Sequence, residues 1–427
     1  MKRIKALFII VAMAALPSYS AIPATKAEKE KMDKFVSELI SRMTLDEKIG
    51  QLNLPPGEDI QTGDAIRSNL GSLVASGKAG GTFNVKGASK VLELQKLAVE
   101  KTRLGIPLLI GMDVVHGYET VFPIPFALSA SWDIPAIENS ARIAAKEASA
   151  AGINWTFSPM VDISREPRWG RMAEGAGEDP YLGSRIAEAM VRGYQGDRLK
   201  GNDEIMACVK HFALYGAPDA GRDYNTVDMS RVRMYNDYLA PYKAASDAGA
   251  GSFMSSFNLV DYVPATANKW LLTDLLRDQW GFKGFVVTDY GSINEMKSHG
   301  MGDSPENSVR ALKAGTDMDM SSDAFISNLA DAVGKGIVSE AEIDKALRRV
   351  LEAKYMLGLF DNPYKYNDVG REKSDIYTEA NRKAARDLAA ETFVLLRNEG
   401  KILPIEKKGK IALIGPLANT SANMCGT

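Results

Sequence analysis

Short apolar runs alternate with helix-length segments along most of this chain, and this alternation restricts its fold more than any other feature. The runs are Gly71 to Val74, Ile106 to Gly111, Asn154 to Met160, Ile205 to Leu214, Ser252 to Phe257, Gly284 to Thr288 and Gly315 to Met320. Helical patterns between them include Ala136 to Ala151, Tyr181 to Gln195, Met234 to Ala248 and Trp270 to Trp280. Strand and helix recur about every 30 to 50 residues, which is typical of repeated βα units in an α/β protein. Seven visible strands with an ambiguous eighth favour a (β/α)8 TIM-type barrel, although the pattern alone leaves an open doubly wound sheet possible.

The pattern also predicts where the barrel ends. A charged helix over Ser339 to Gly358 is followed by the turn signal Asp361-Asn362-Pro363, which we take as the end of a barrel domain over residues 21–363. Residues 364–400 are then a linker with one more helix, and residues 401–427 begin a second α/β domain with a buried strand over Lys410 to Pro416. Because a lone parallel strand cannot satisfy its own backbone, we expect the sequence to be truncated early in that domain.

The first twenty residues predict export. Lys2, Arg3 and Lys5 precede an apolar stretch over residues 6–16, and small residues surround Ser20, as in a cleaved signal peptide over residues 1–20. The stretch is too short to span a bilayer, so we expect a periplasmic or secreted protein without a membrane anchor. A net charge of −2 gives no basic surface for nucleic acid.

Polar side chains follow most of the predicted strands. They are Asp113, Asp162, Lys210 with His211, Met254 to Asn258, Asp289, and Asp317 with Asp319. The carboxyl ends of parallel barrel strands meet at one mouth, so these groups predict a polar pocket able to grip several hydroxyls. Asp289 ends the β-branched run Gly284 to Thr288 and is the leading candidate for chemistry, although a lone strand-end Asp can equally cap the following helix.

Other chemistries fit the sequence poorly. It contains no phosphate-binding glycine loop and no Gly-x-Ser-x-Gly elbow, and its three histidines lack zinc-site spacing. Carboxylates therefore remain as the reactive groups, with no cofactor and no metal expected. In the charged loop that follows Asp162, Arg165, Glu166 and Arg168, together with Glu178, are expected to form a structural ion-pair network, whereas Arg171 is assigned to substrate.

Several motifs together resemble glycoside hydrolase family 3, and the resemblance runs from about residue 30 to the last residue. They are Gly111 to Gly117, Pro123 to Ser131, Ser158 to Ser164, Arg168 to Arg171, Val209 to Phe212, Tyr224 to Asp228 and Phe285 to Gly291. The likeness is greatest to the bacterial periplasmic β-glucosidase type. It implies a (β/α)8 barrel, a second α/β sandwich domain, and exo-acting, retaining hydrolysis of terminal β-D-glucosyl residues from a β-glucoside or oligosaccharide.

The resemblance also implies roles for individual residues. Asp289 matches the family's nucleophile, which forms a glycosyl-enzyme intermediate. The side chains that match the sugar-binding groups of the −1 subsite are those of Asp113, Arg171, Lys210 and His211. Met254 and Tyr290 lie on the pocket wall; Tyr290 stands where some relatives carry Trp, and Phe257 stands where others carry Tyr.

A retaining mechanism also needs an acid/base residue. In the β-glucosidase branch it resembles a Glu of the second domain, beyond the end of this chain, and another branch uses a His that the loop Ala213 to Ser230 lacks. We therefore expect impaired turnover, with the second domain as intramolecular partner. Alternatives are a β-xylosidase or other exo-glycosidase of the family, and a non-catalytic sugar-binding barrel fragment.

Overall fold

The fold is a closed barrel of eight parallel strands, seen in a computed structural model that describes residues 25–57, 59 and 69–420. The proposed signal peptide lies outside those residues. The strands, with a small hairpin formed by β7 and β8, are β1 Asn53–Leu54, β2 Gly81–Phe83, β3 Leu109–Met112, β4 Trp155–Thr156, β5 Met206–Phe212, β6 Ser252–Ser255, β7 Leu259–Val260, β8 Val263–Pro264, β9 Phe285–Thr288 and β10 Asp319–Met320.

Pairing between the strands closes the barrel. Six strands pair in the order β2-β3-β4-β5-β6-β9, and β1 pairs with β10. Parallel bridges between Pro56 and Phe83 and between Val287 and Met318 join these two groups. The complete circuit is therefore β1-β2-β3-β4-β5-β6-β9-β10, and all eight carboxyl ends open at one mouth.

Helices surround the barrel and connect its strands. They are α1 Lys26–Ser41, α2 Leu45–Gly50, α3 Leu70–Ala75, α4 Ala88–Lys101, α5 Pro125–Ser131, α6 Ile134–Ala150, α7 Pro180–Gln195, α8 Arg231–Arg233, α9 Ala240–Asp247, α10 Ser292–Glu295, α11 Ser304–Ala314, α12 Ala324–Gly334, α13 Glu340–Met356, α14 Gly370–Asp375 and α15 Glu379–Glu391. Wider π-helical turns cover Met234–Tyr238 and Trp270–Gln279. Within the described ranges, no helix combines the length and apolar character needed to cross a bilayer.

Large aromatic side chains fill the barrel interior. The fully buried Trp155 of β4 lies with its ring centroid 4.8 Å from that of Phe157 and 5.1 Å from that of Phe285 on β9. Since β5 and β6 separate β4 from β9 in the sheet, this contact crosses the interior. The Trp155 indole N–H donates to Ser252 Oγ at 2.8 Å, which satisfies its polar atom. The interior is thus a packed core, and any large cavity of the barrel has to lie at an end.

The prediction of a strand over Gly71 to Val74 is wrong, because these residues lie in α3. The Asn69 side chain caps that helix by accepting the Ser72 N–H at 3.2 Å, and Leu70 and Val74 are buried on the same face. The first two barrel strands are instead β1 and β2, which are only two and three residues long. The other six predicted strands each overlap an observed strand.

The segment after the barrel has two distinct parts. Residues 366–391 pack on the barrel: the Tyr366 hydroxyl donates to the Glu204 carbonyl at 3.0 Å, and Leu388 of α15 is buried. By contrast, Ile411, Leu413 and Ile414 are 66–89 % exposed. The strand predicted over Lys410 to Pro416 is not formed, because no other strand of the described chain pairs with it.

Candidate active site

A cavity of ≈ 710 Å³ opens at the mouth of the barrel, where the carboxyl ends of the strands converge. Its wall includes the seven residues to which the family resemblance assigned a role, namely Asp113, Arg171, Lys210, His211, Met254, Asp289 and Tyr290. Strand ends position most of them: Asp113 follows β3, Lys210 and His211 lie in the last part of β5, and Asp289 follows β9. Barrel enzymes use this mouth for catalysis, so the cavity is the candidate active site.

Asp289 lies in the cavity wall, and one of its carboxylate oxygens has no hydrogen-bond partner among the described residues. Its side chain is nearly buried, and Oδ1 accepts the Tyr290 N–H at 2.7 Å. Oδ2 has no hydrogen bond among the described residues and lies 3.7 Å from His211 Nε2. Helix α10 begins after Gly291 without a side-chain cap, so Asp289 does not serve as its N-cap. Burial raises the pKa of Asp289 to about 6, and the charges of Arg171 and Lys210 oppose that rise.

His211 is held by a carboxylate behind the cavity wall. Asp162 Oδ2 accepts the His211 backbone N–H at 3.0 Å and lies 2.8 Å from His211 Nδ1, while the Tyr242 hydroxyl donates to Asp162 Oδ1. With Nδ1–H pointing at Asp162, Nε2 is left to accept from Arg171 at 2.9 Å. Burial and the nearby Arg171 and Lys210 charges lower the pKa of His211, which keeps the ring neutral. Asp162 is therefore a positioning residue for His211.

Two ion pairs supply the charged part of the wall. Lys210 Nζ lies 2.5 Å from Asp113 Oδ1, and Arg171 binds Glu174 through two hydrogen bonds of 2.8 and 3.1 Å. Burial alone would lower the pKa of Lys210, but the carboxylates of Asp113 and Glu174 raise it overall, so the ammonium stays charged. Cations and carboxylates side by side can donate to and accept from neighbouring hydroxyls of one ligand.

Most of the other charges expected in the structural network form ion pairs. Arg165 lies 2.7 Å from Asp237, and Arg168 lies 2.6 Å from Glu166. The expectation is wrong for Glu178, which is exposed and forms no ion pair among the described residues. Arg171 lines the cavity.

Besides Asp162, which lies behind the wall, two more of the predicted strand-end carboxylates do not reach the cavity. Asp317 is buried between Arg277 and Arg349, at 2.5 and 2.7 Å. Asp319 accepts the backbone N–H groups of Ala324 and Phe325 at 2.8 and 3.1 Å, at the start of α12. The interpretation of Asp317 and Asp319 as pocket residues is wrong, because each carboxylate binds structural partners away from the cavity.

Sequence reasoning missed several cavity residues that do not lie at strand ends. Glu174, Tyr224 and Glu295 line the cavity from loops and from α10. Burial, together with the Asp289 and Asp223 carboxylates, raises the pKa of Glu295 to about 7. One signal was available: Glu295 stands six residues after Asp289, in the short helix that a barrel strand feeds. Within the described residues, no group of three His, Cys, Asp or Glu side chains could hold a metal ion.

A closed parallel barrel with a pocket of carboxylates and cations at its carboxyl mouth is the architecture of a (β/α)8 barrel enzyme. Residues 44–353 match the family described as glycosyl hydrolase family 3 N terminal domain, and the chain belongs to that family. The family resemblance of the motifs is thereby confirmed, as is the barrel fold.

Curated and solved relatives agree with this assignment. A periplasmic beta-glucosidase of Salmonella typhimurium is 45% identical over 404 residues, which cover 93% of this chain and 52% of the relative. A putative beta-xylosidase of Formosa agariphila is 33% identical over 90% of this chain and 54% of its own length. The crystal structure of a beta-glucosidase from Listeria innocua in complex with glucose superposes with a TM-score of 0.86 at 41% identity, covering 92% of this chain and 56% of that one. The chain thus spans about half the length of the relatives it matches.

Proposed function

We propose that this chain forms the barrel part of an exo-acting, retaining β-glucosidase in which Asp289 is the nucleophile. The observation that carries the proposal is the Asp289 carboxylate in the cavity wall, whose Oδ2 has no hydrogen bond among the described residues and lies 3.7 Å from His211 Nε2. A nearly buried carboxylate oxygen without a hydrogen bond keeps a lone pair available for attack. Its raised pKa still leaves the group ionised at neutral pH.

In this mechanism Asp289 Oδ2 attacks the anomeric carbon of the terminal sugar. The bond from that carbon to the glycosidic oxygen breaks, and its electron pair leaves with the aglycone oxygen, which takes up a proton. Water then attacks the same carbon and releases a proton, which balances the one taken up by the aglycone, and the bond to Asp289 breaks with its electron pair returning to the carboxylate. The configuration is retained after the two inversions. The proposal assigns no residue of this chain as the proton donor.

The rest of the pocket wall is assigned to recognition of the sugar. Asp113, Lys210, Arg171 and the neutral Nε2 of His211 offer acceptors and donors for adjacent hydroxyls, while Met254 and Tyr290 supply apolar wall. Multiple charge-assisted hydrogen bonds in a nearly buried pocket favour a neutral polyol over an ionic ligand, because the charges present are already paired. The Listeria relative carries glucose in its crystal structure, and the Salmonella relative is named a beta-glucosidase, in keeping with a terminal glucosyl unit.

Trapping the glycosyl-enzyme tests the nucleophile directly. We expect 2,4-dinitrophenyl 2-deoxy-2-fluoro-β-D-glucoside to add one fluoroglucosyl unit per chain, on the peptide that contains Asp289. This probe suits a site without an assigned proton donor, since dinitrophenolate departs with little protonation. The Asp289→Asn variant is the control and should gain no mass. A label on a peptide without Asp289, or an unlabelled native chain, would contradict the proposal.

The expected impairment stays a prediction that the same chemistry can test. If proton donation is weak, the second-order rate constant should fall steeply as the phenol leaving group becomes less acidic across a series of aryl β-glucosides. A rate independent of phenol acidity, with glycosylation limiting, would show effective acid catalysis and contradict the expectation.

A β-xylosidase is the second candidate, favoured by the 33% identity to the Formosa agariphila relative of that name. The two sugars differ by one hydroxymethyl group, for which a pocket can discriminate by about 1–3 kcal/mol. Comparing kcat/KM for 2,4-dinitrophenyl β-glucoside and β-xyloside separates them, and we expect the glucoside to be preferred. We also propose a periplasmic location, supported by the name of the Salmonella relative and the basic and apolar start of the sequence.

A further inference from the structure

Glu295 is a cavity carboxyl to which the proposed mechanism gives no task. It lies at the end of α10, immediately after the strand that carries Asp289, and its side chain is partly buried in the cavity wall. The carboxyl makes no hydrogen bond or ion pair within the described part of the chain. In contrast, Asp113 and Glu174 in the same wall are each bound to a cation. A half-buried carboxyl left without a partner beside another carboxylate is unfavourable unless a ligand completes it.

The neighbours of Glu295 differ in kind from those of the sugar-binding groups. Tyr224 and Phe257 stand beside it in the wall, with ring centroids 4.7 Å apart. Asp289 and Asp223 are the charges that raise the pKa of Glu295, and Glu295 is the first of the charges that raise the pKa of Tyr224, after burial itself. Glu295 therefore lies between Asp289 and an aromatic face.

Glu295 and its aromatic neighbours differ from the proposed sugar subsite in their depth in the cavity and in the strands that they follow. Lys210, His211 and Asp289 are at most 8 % exposed and lie at the bottom, whereas Tyr224 is 42 % exposed and lies at the rim. The hydroxyl-binding groups come from β3, β5 and the loop after β4, but Glu295 follows β9, which lies on another part of the barrel circuit. An exo-acting pocket holds the terminal sugar at the bottom, so the substituent on its anomeric carbon has to extend past the rim.

We propose that Glu295, with the Tyr224 and Phe257 rings, forms the subsite for the leaving group, and that its carboxyl hydrogen-bonds a hydroxyl of a sugar in that position. This rests on the proposed function, because the bottom of the cavity must hold the terminal glucosyl unit. A carboxyl beside an aromatic face suits a pyranose: the rings cover its apolar C–H face and the carboxyl binds an equatorial hydroxyl. Glu295 is thereby a specificity residue that favours disaccharides over simple alkyl glucosides.

Binding measurements on the 427-residue chain test this without turnover. Calorimetric titrations compare glucose, which fills only the bottom of the cavity, with the sulfur-linked disaccharide 4-thiocellobiose, which resists hydrolysis. We expect Glu295→Leu to weaken thiocellobiose binding about tenfold and to leave glucose binding within about twofold, as for the loss of one hydrogen bond to a ligand. Glu295→Gln should restore most of the affinity, because an amide also binds hydroxyls.

Lys297→Gln is the matched control, since this exposed residue lies two positions further on and does not line the cavity. It should leave both affinities unchanged. Equal weakening of both ligands by Glu295→Leu, or no weakening of either, would overturn the leaving-group assignment. The leaving-group assignment would also be overturned if the native chain bound thiocellobiose no more tightly than glucose. If the native chain bound neither sugar, the proposed function itself would fail along with this inference.

Discussion

Asp289, the proposed nucleophile, illustrates how a buried carboxylate lowers the stability of the fold that holds it. Its pKa is raised from 3.8 to about 6 in the folded chain, so the folded state binds the proton more tightly than the unfolded state. Stability therefore falls as pH rises from about 4 to about 6 and stays reduced above that range. We expect Asp289→Asn to raise the free energy of unfolding by on the order of 2 kcal/mol at pH 7.5. Below pH 4 the gain should vanish.

Denaturant titrations of the native chain and of Asp289→Asn at pH 4 and pH 7.5 measure this difference. Asp261→Asn, in the exposed turn between β7 and β8, is the control and should show no such pH-dependent gain. A variant that is no more stable than the native chain at pH 7.5 would show that Asp289 carries no strain from burial.

The residues that the sequence could and could not indicate differ in where they lie. Asp113, Lys210, His211 and Asp289 follow or end apolar strands, and a one-dimensional pattern marks such positions. Glu295 is brought to the cavity by the direction of α10, which depends on how the loop after β9 folds back over the mouth. Asp317 shows the converse error, because it lies next to a strand but does not reach the cavity. Its carboxylate pairs with Arg277 and Arg349, and a local sequence pattern cannot predict partners from distant segments.

At the scale of elements, Glu147 of α6 binds two separate segments to the barrel. Its fully buried carboxylate accepts the backbone N–H groups of Glu119 and Thr120 at 3.0 and 2.8 Å. It also accepts the Tyr377 backbone N–H, just before α15, at 2.9 Å and the side-chain amide of Asn381, within α15, at 2.7 Å. Glu147→Gln turns one acceptor oxygen into an NH₂ group that faces donors. We expect a loss of about 3 kcal/mol in the free energy of unfolding, because buried donors lose their acceptor.

Glu138→Gln is the matched control on the same helix, since Glu138 is partly exposed and pairs with Arg192 at 2.8 Å. A surface pair of this kind contributes at most about 1 kcal/mol. Limited proteolysis adds a local readout: cleavage at Arg386 in α15 should accelerate in Glu147→Gln and not in Glu138→Gln. Equal effects of the two substitutions would contradict the bridging role.

The length of the surrounding run, rather than of the strand alone, explains which elements the sequence revealed, since the two-residue β4 and β10 lie in the longer predicted runs Asn154 to Met160 and Gly315 to Met320. The seven-residue β5 and the four-residue β9 stand out as β-branched and apolar runs. By comparison, β1 and β2 have two and three residues, and their pairing depends on neighbours brought in by the barrel circuit. Local apolar content therefore predicted a strand over Gly71 to Val74, but these residues lie in the capped helix α3.

Closure of the whole barrel depends on contacts between the two ends of the chain's βα array. Asn53 and Leu54 of β1 pair with Asp319 and Met320 of β10, and Lys354 of α13 donates to the Gln51 side-chain oxygen at 2.5 Å. Lys354 is completely buried, and burial lowers its pKa well below the usual value. The seam therefore contains a buried lysine whose pKa is lowered on folding, 303 positions from its partner along the chain.

A double-mutant cycle on Lys354 and Gln51 tests whether their hydrogen bond stabilises the closed barrel or only offsets the cost of burying two polar groups. The folded state binds the Lys354 proton less tightly than the unfolded state. The contribution of Lys354 to the free energy of unfolding therefore becomes more favourable as pH rises towards the unfolded pKa near 10.5. We expect Lys354→Met to raise the free energy of unfolding, by more at pH 6.5 than at pH 9, because the methionine needs no deprotonation.

Gln51→Leu alone should be destabilising by about 1–3 kcal/mol, since it leaves a buried amine without its acceptor. The double variant should be at least as stable as Lys354→Met, and a double variant less stable than the native chain would show that this hydrogen bond itself holds the barrel closed.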